Sequence, residues 1–294
     1  QGLEICAIAK PFFLHAGLVA WADIVQVHEA KGNHLACQGH SLKGTPYVIT
    51  RRIDKPPTAS WLNRRLYRNA AASVAVSNAV RDAMQAKFPD VSIEVLPESS
   101  AHLPSNPEHV AAIRERFAGK FLIGHVGALV QRHKGQLTLL KALRELNKKH
   151  DNLQLLLIGT GEDEQLFRQE ARDLDNVSFE GFTDDVGDYL AALDLFVYPS
   201  LNEGLGSVLF DVMDYQLPIV ASRAGGIPDT IQHEKNGLLV PPGDVPALTA
   251  AISRLLDDES LRASLAEQGK RDAERFTPKV ISQLYLELFE RILK

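Results

Sequence analysis

The stretch DLFVYPSLNEGLGSVLFDVMDYQLPIVASRAGG, residues 194–226, decides the fold of this chain. Its two apolar runs, DLFVYP and LPIVAS, are short and bounded by turn residues, as expected for parallel strands that are covered on both faces. Between them, glycines allow the backbone to approach a ligand closely and then to turn directly into a short helix. A helix start presents unpaired N–H groups, which suit a phosphate. The pattern predicts a strand–loop–helix–strand unit with a phosphate seat in its loop.

Two carboxylates accompany this predicted phosphate seat. Glu203 opens the loop, Ser207 is the first polar residue of the helix, and Asp211 lies about two helical turns after Glu203. Carboxylates accept hydrogen bonds from hydroxyl groups, so the combination suits a nucleotide-sugar. The alternative is that the loop is an ordinary glycine turn of a doubly wound sheet and that both acids are merely solvated.

Composition excludes several function classes. The chain has 294 residues, 45% hydrophobic and 23% charged, which is typical of a folded protein large enough for two domains. Its net charge of −5 gives no support to a nucleic-acid partner. The two cysteines, Cys6 and Cys37, lack metal-ligand spacing and are expected to be free thiols in a reducing compartment. No apolar run approaches the ~18–20 residues that cross a bilayer, and no signal peptide is recognisable.

Alternating strand and helix patterns divide the chain into two α/β domains, residues 1–103 and 104–276, followed by a helix over 277–294. In the first domain the patterns predict strands at 3–9, 22–28, 46–52, 73–77 and 92–97, and helices at 59–71 and 78–88. The segment 97–109 is rich in proline and serine and is predicted to be the hinge. The second domain reads as six strands in βα alternation, which predicts a doubly wound parallel sheet.

A cationic stretch follows the first strand of the second domain. Arg132, His133 and Lys134 stand immediately before a predicted helix at 136–150, where the helix dipole disfavours cations by roughly 0.3–1 kcal/mol each. An anion between the cations and the helix end would reverse that cost. For Arg132 and His133 the alternative is that they simply point into water. Lys134, next to Gly135, is predicted to hold a diphosphate together with the 204–208 backbone, while Glu203 faces the sugar.

The residues now point to a family. The motifs VGAL…HKGQ, LLLIGTGED, VSFEGFTDDV, LDLFVYPSLNEGLGSVLFDVM, PIVASRAGGIPDTI and NGLLVPPGD occur in this order over residues 120–276. They closely resemble the C-terminal half of retaining GT-B glycosyltransferases, in the family 4-like group 1 that has a paired-glutamate donor motif. DIVQVHEAKGNHLA, VITRRID and VAVSNAVRD resemble the acceptor-side domain of the same family, more weakly.

The resemblance implies a fold of two doubly wound Rossmann-like domains that face each other across a cleft, with the final helix returning to the first domain. It implies that Lys134 contacts the donor diphosphate, with Arg132 as a possible second cation, and that Glu203 contacts the transferred sugar. The donor-binding residues it implies are completed by Gly204, Leu205, Gly206, Ser207 and Val208 on the sugar and phosphate, Asp211 on the nucleotide ribose, and Gly181 and Phe182 beside the base.

This sequence departs from the family pattern in three places. Asp211 stands where a glutamate, one methylene longer, is usual, and Ala128 stands where many members have an arginine. The active-site histidine of the first domain has no clear counterpart: Thr50 or Arg51 falls at its position, and His28 is the nearest candidate for a catalytic histidine, with a purely structural role as its alternative. The resemblance also implies that the family's first βα unit is missing before the start of this sequence.

The implied function is metal-independent transfer of a sugar, with retention of configuration, from a UDP-, GDP- or ADP-sugar, with no further cofactor. The implied acceptor is a lipid-linked molecule or a polysaccharide of the bacterial cell envelope. A cytoplasmic location follows, with possible peripheral contact to the inner membrane face through the basic stretch 63–68. The alternatives are a degenerate nucleotide-sugar-binding subunit and a GT-B sugar-nucleotide epimerase.

Overall fold

The computed structural model describes residues 17–19 and 21–294. The predicted strand at 3–9 and Cys6 lie outside the described residues. The described chain forms two compact units, one reaching Pro97 and including Ser282–Lys294, the other spanning Glu98–Ile281. The sequence patterns place the domain boundaries at 103/104 and 276/277, whereas the two units of the structure divide at 97/98 and 281/282.

The first unit contains a parallel sheet of four strands in the order β1-β2-β3-β4, where the strands are β1 Val25–Val27, β2 Tyr47–Arg51, β3 Ala72–Ala75 and β4 Ile93–Val95. Three helices alternate with them: α1 Ala30–Lys43, α2 Trp61–Asn69 and α3 Asn78–Lys87. The hydrophobic residues of the two central strands form the core, since Tyr47, Val48, Val74 and Ala75 are almost fully buried.

Helix α1 was not predicted. It carries two glycines and several small or polar residues, so it shows no continuous apolar stripe. Its buried positions are small or polar ones, Asn33 and Ala36, and a Cβ on Gly32 would lie 2.7 Å from a methyl group of Val27. Close packing against β1, rather than amphipathic periodicity, fixes this helix.

The second unit contains a parallel sheet of six strands: β5 Phe121–Val126, β6 Leu153–Ile158, β7 Val177–Gly181, β8 Leu195–Tyr198, β9 Ile219–Ser222 and β10 Leu238–Val240. Their order in the sheet is β10-β9-β8-β5-β6-β7. The chain therefore runs outward from β5 to one edge and then outward from β8 to the other. The junction between β5 and β8 is the topological switch point, the place where open α/β sheets bind ligands.

Helices α4 to α12 belong to the second unit: α4 Pro107–Arg116, α5 Gln131–Lys134, α6 Gln136–Leu146, α7 Glu164–Glu170, α8 Val186–Ala192, α9 Val208–Asp214, α10 Ile227–Thr230, α11 Val245–Asp257 and α12 Glu259–Ala273. A 3₁₀ turn, Glu274–Phe276, follows them. Buried leucine, isoleucine and valine side chains of β5, β6, β8, α6 and α11 form one continuous core. The predicted βα alternation of this half is confirmed.

The last helix, α13 Pro278–Leu293, begins one residue after Thr277, as its proline predicts. In the first unit its C-terminal part packs on the sheet, where Leu288 contacts Val48 and Val74. Arg291 pairs with Glu94 of β4 at 2.6 Å. Residues 282–294 of this helix thus belong to the first unit.

Candidate functional site

The loops that follow β5 and β8 meet at the switch point of the six-stranded sheet. The two strands are neighbours, with Gly124 paired to Phe196. Beyond the strand ends, the N–H groups of Leu201 and Asn202 both donate to the carbonyl oxygen of His133, at 2.8 and 3.2 Å. These backbone hydrogen bonds fix the spacing of the two loops, and with it the spacing of the side chains that they carry.

Lys134 and Glu203 form an ion pair at this junction. Lys134 Nζ lies 2.6 Å from Glu203 Oε2, and the two side chains are 20% and 16% exposed. The structure therefore brings together the two residues that the sequence predicts to share a ligand, in a place that a ligand can reach. A half-buried pair of opposite charges at strand ends can exchange its mutual contact for an anion on the lysine and a hydroxyl on the glutamate.

Lys134 owes its position to a helix turn that the sequence analysis placed in a loop. Residues 131–134 form the one-turn helix α5, and Gly135, with φ of +66°, separates it from α6. A Cβ on Gly135 would lie 2.3 Å from the carbonyl oxygen of Pro199, so only glycine fits there. Lys134 thus stands at the C-terminal end of one helix as well as before the next. The cost predicted for a cation at the start of α6 is instead offset by the ion pair with Glu203.

The glycine-containing loop after β9, residues 223–226, fixes the backbone of Glu203. Gly225, with φ of +50°, packs so closely on the Glu203 backbone that a Cβ would lie 1.7 Å from the Glu203 carbonyl oxygen. Gly226 N–H donates to that same oxygen at 3.1 Å. The RAGG sequence after β9 therefore positions the acid that follows β8.

Sequence reasoning missed two aromatic residues beneath the ion pair, Tyr198 and His125. The hydroxyl of Tyr198, the last residue of β8, lies 2.7 Å from both Lys134 Nζ and Glu203 Oε2. The ring of His125, on β5, stacks against Tyr198 with a centroid separation of 5.8 Å. Their places at the ends of the two strands that border the switch point could have revealed them.

His125 is fully buried, and burial lowers its pKa to about 4, with the nearby Lys134 acting in the same direction. Its Nδ1 lies 3.0 Å from the carbonyl oxygen of Val197. Because a carbonyl only accepts, Nδ1 carries the proton, and Nε2 faces the side-chain amide of Gln136 at 3.3 Å. The neutral imidazole is thus held in one orientation by contacts to both of its ring nitrogens.

Asp211 lies in a different environment from Glu203. It is buried, and its Oδ1 accepts a hydrogen bond from Ala101 N–H at 2.9 Å. Burial raises the pKa of this carboxyl group, while the N–H groups of Ala101, His102 and Leu103 oppose the shift. The structure uses Asp211 to hold the segment that enters the second unit, and the predicted contact to a ribose stays a prediction.

The remaining residues of the predicted donor site lie in the segments that follow β5, β7 and β8. Arg132 is exposed and lies 3.4 Å from Glu162, within ion-pair range. Phe182 is 74% exposed directly after β7, and Gly181 has a φ of +75°. In the loop after Glu203, Leu205 is buried and Gly206 has a φ of +80°, with the partly exposed Gly204, Ser207 and Val208 around them.

Ser207 does not cap the short helix α9. Its backbone is already helical, and its side chain makes no capping hydrogen bond. The preceding Gly206, with a φ of +80°, supplies the turn into the helix.

The candidate residues of the first domain lie at the strand ends of the first unit. His28 follows β1 and is exposed, whereas Thr50 in β2 is buried and accepts a hydrogen bond from Gln26 at 3.1 Å. Arg51 donates to the carbonyl oxygen of Lys55. Thr50 and Arg51 thus have partners within their own unit, and His28 lies at the end of β1.

Side chains of types that can ligate a metal lie close together where α4 meets α8. Within residues 17–19 and 21–294, His109, Asp185 and Asp188 are the group whose ligand atoms all lie within 4.8 Å of one another. Asp188 already accepts from Asn106 N–H and lies 3.0 Å from His109 Nδ1, contacts that attach the start of α4 to α8. Searched over the same residues, no helix is both long and apolar enough to cross a membrane.

The chain is similar to known proteins over more than two thirds of its length. The sequence model of the family "Glycosyl transferases group 1" matches residues 120–258, the part that carries both loops. The lipopolysaccharide core biosynthesis glycosyltransferase LpsD of Rhizobium meliloti is 35% identical over 203 residues, which are 68% of this chain and 57% of that protein. A GDP-mannose-dependent phosphatidylinositol monomannoside mannosyltransferase of Mycobacterium tuberculosis is 29% identical over 231 residues, 73% of this chain and 60% of that protein. The chain thus spans 57–60% of the length of these two relatives.

Solved structures match nearly the whole chain. Anabaena Alr3699/HepE in complex with UDP and glucose superimposes with a TM-score of 0.82 at 22% identity, covering 95% of this chain and 80% of that one. A glycosyltransferase from Rickettsia africae superimposes with a TM-score of 0.85 at 17% identity, covering 99% of this chain and 85% of that one. The chain therefore has the GT-B fold of two Rossmann-like α/β units, and its residues 120–258 match the group 1 glycosyl transferases.

Proposed function

We propose that this protein is a glycosyltransferase that moves a sugar from a nucleotide-sugar donor to a glycan or lipid-linked acceptor. One observation carries the proposal: the ammonium of Lys134 and the carboxylate of Glu203 meet at 2.6 Å where the sheet changes direction. An acid beside a cation is what a sugar linked to a diphosphate requires. The match of residues 120–258 to the group 1 family supports the same reaction.

In this proposal Lys134 stabilises the leaving diphosphate. Negative charge accumulates on that group as the bond to the sugar breaks, and a preorganised cation in a partly dehydrated site lowers the barrier. The backbone N–H groups of the 204–208 loop would add hydrogen bonds to the sugar and phosphate. No proton transfer to the leaving group is needed from Lys134.

In this proposal Glu203 positions the transferred sugar. Its carboxylate would accept hydrogen bonds from hydroxyls of the transferred sugar and so orient the anomeric carbon toward the acceptor. Retention of the donor's configuration and independence of a metal ion complete the proposal, and they rest on the resemblance of residues 203–211 to the paired-acid motif. The anomeric configuration of the product, read by proton NMR, tests retention. Turnover in EDTA tests independence of metal.

The donor is a UDP-, GDP- or ADP-sugar in this proposal. The relatives differ here: the Anabaena structure holds UDP and glucose, and the mycobacterial enzyme is named for GDP-mannose. A thermal-unfolding screen with UDP-, GDP-, ADP- and CMP-sugars identifies the donor, since a ligand at ~100 times its Kd adds about 2.7 kcal/mol to the free energy of unfolding. Turnover with the stabilising donor is then measured. A donor that binds without transfer or hydrolysis would favour the degenerate binding subunit.

We further propose a cytoplasmic location with peripheral attachment to the inner face of the membrane. Helix α2 exposes Trp61 and Leu62 beside Arg65, and Ile53 is exposed in the loop before the helix. Exposed aromatic and aliphatic side chains next to cations suit the boundary between anionic headgroups and acyl chains.

Sedimentation with phosphatidylglycerol vesicles tests this attachment. We expect Trp61→Ser to weaken binding, and Leu286→Ser, which removes an exposed apolar side chain from α13 of the same unit, to leave it unchanged. Equal binding by both variants and by the unmodified protein would contradict the assignment.

A further inference from the structure

Tyr198 joins the two charged groups of the candidate donor site. Lys134 Nζ lies 2.7 Å from the Tyr198 hydroxyl, the hydroxyl lies 2.7 Å from Glu203 Oε2, and Nζ lies 2.6 Å from the same Oε2. The three atoms therefore form a closed triangle. Tyr198 is 2% exposed, so its hydroxyl reaches the site from inside the protein.

The chemistry of the three groups fixes the direction of each hydrogen bond. An ammonium only donates and a carboxylate only accepts, so the hydroxyl accepts from Lys134 and donates to Glu203. Burial, with the carboxylate of Glu203 acting in the same direction, raises the pKa of Tyr198 well above its usual range. The phenol consequently keeps its proton at neutral pH and donates it to Glu203.

The ring of Tyr198 is held between neighbours. It stacks on His125 at an interplanar angle of 28° and on Phe196 at 23°. His125 is itself fixed by its hydrogen bond to the carbonyl oxygen of Val197 on the same strand as Tyr198. A hydroxyl on a ring that is packed in this way has one position available, unlike a hydroxyl at the end of a flexible side chain.

The two carboxylate oxygens of Glu203 differ in their contacts. Lys134 and Tyr198 both donate to Oε2 of this carboxylate rather than to Oε1. Oε1 is left to accept from a ligand.

We propose that Tyr198 is a positioning residue, which holds Oε2 of Glu203 so that Oε1 faces a hydroxyl of the donor's hexose. The inference rests on the proposed function and adds the residue that sets the orientation of its acid. Tyr198 touches neither the diphosphate nor the sugar in this account. Its effect reaches the substrate through Glu203, and therefore concerns the sugar more than the nucleotide.

Tyr198→Phe and a matched control, Tyr189→Phe, test this role. Tyr189 also donates to a carboxylate, Glu180 Oε2, at 2.9 Å, and it lies in the same unit. We expect Tyr198→Phe to lower kcat about tenfold, as expected for a lost hydrogen bond to a charged group, and to leave inhibition by the matching nucleoside diphosphate within about twofold. Tyr189→Phe should change neither. Equal kinetics in the two variants would overturn the inference.

Crystal structures of the two variants without donor give a readout that needs no activity. We expect the Glu203 carboxylate to shift by about 1 Å or more in Tyr198→Phe, a displacement that matters for catalysis, and to stay in place in Tyr189→Phe. A carboxylate that does not move in Tyr198→Phe would refute the positioning role. If the unmodified protein transfers sugar from no donor, the proposed function fails, while the carboxylate position still decides the role of Tyr198.

Discussion

Glu203 and Asp211 begin and end one short loop-helix segment, yet they occupy opposite kinds of environment. Glu203 contacts two side chains, Lys134 and Tyr198, and is partly open to solvent. Asp211 is buried and accepts hydrogen bonds from backbone N–H groups of the segment 101–103. Side-chain partners can be exchanged for a ligand, whereas backbone partners are held by the fold. Two acids at a familiar spacing therefore need not share a function.

The difference has a physical cause in the connecting segment. Ser100 N–H donates to the carbonyl oxygen of Phe276, and Tyr215 donates to that of Leu103. Asp211 lies within this network, and its side chain, one methylene shorter than glutamate, ends at the backbone of Ala101. The comparison therefore predicts a catalytic effect at one end of the loop-helix segment and a stability effect at the other.

The largest effect is expected at the charged pair itself. Lys134→Ala and Glu203→Gln should each lower turnover by about 10²–10³-fold, because a preorganised group at the developing charge or at the sugar is lost. Steady-state transfer assays measure this, with circular dichroism to show that the variants are folded. The control is Lys141→Ala, an exposed lysine on α6. Full turnover in the Lys134 and Glu203 variants would remove the distinction between the two acids.

A pH-dependent stability effect is expected beneath that pair. The pKa of His125 is about 4 when folded against 6.5 for an unperturbed group, so above about pH 6.5 its contribution to stability is complete. As the pH falls from about 6.5 to 4, His125 becomes protonated in the unfolded chain but stays neutral in the folded protein. The free energy of unfolding therefore decreases by about 3 kcal/mol. Urea unfolding at several pH values should show a smaller loss in His125→Gln. Identical pH profiles would show that the imidazole is not buried in its neutral form.

At the other end, Asp211→Ala is expected to cost about 1–3 kcal/mol of stability, since the N–H of Ala101 and its neighbours would be left without their acceptor. Affinity for the nucleoside diphosphate should stay within about twofold of the unmodified protein. Denaturant unfolding and calorimetric titration measure the two quantities, and the exposed Asp184→Ala serves as control. Weaker nucleotide binding at unchanged stability would instead give Asp211 the ribose contact implied by the family resemblance.

The smallest effect is expected at Arg132. This side chain is 71% exposed and lies near Glu162, so its removal should change the donor KM by less than about threefold. A large rise in KM would mean that Arg132 leaves Glu162 when the donor binds, and would make it a second cation for the diphosphate.

The sequence predicted the parallel strands and the glycine turns well, because these depend on local patterns. The apolar runs between turn residues predict β8 and β9. The paired glycines of RAGG predict the loop that contains Gly225. Helix α5 was missed because one turn of QRHK has no periodicity to detect. The Tyr198–His125 stack was missed because its two residues lie on different strands. His125 is 72 positions before its hydrogen-bond partner Val197, and the two strands become neighbours only through the order of the sheet.

The role of Asp211 shows a different limit. Spacing along the chain placed it where a family acid stands, but its partners come from residue 101, 110 positions earlier. Hydrogen bonds of that range depend on how the connecting segment folds onto the second unit. Local sequence carries no information on such a partner.

The central claim is that Lys134 holds the diphosphate while Glu203 holds the sugar, and one binding comparison tests it most directly. Calorimetric titration of the unmodified protein, Lys134→Ala and Glu203→Gln with the nucleotide-sugar and with its nucleoside diphosphate separates the two parts of the ligand. We predict that Lys134→Ala loses about tenfold or more in affinity for both ligands, whereas Glu203→Gln loses affinity for the nucleotide-sugar alone. Unchanged affinity for both ligands in both variants would contradict the account.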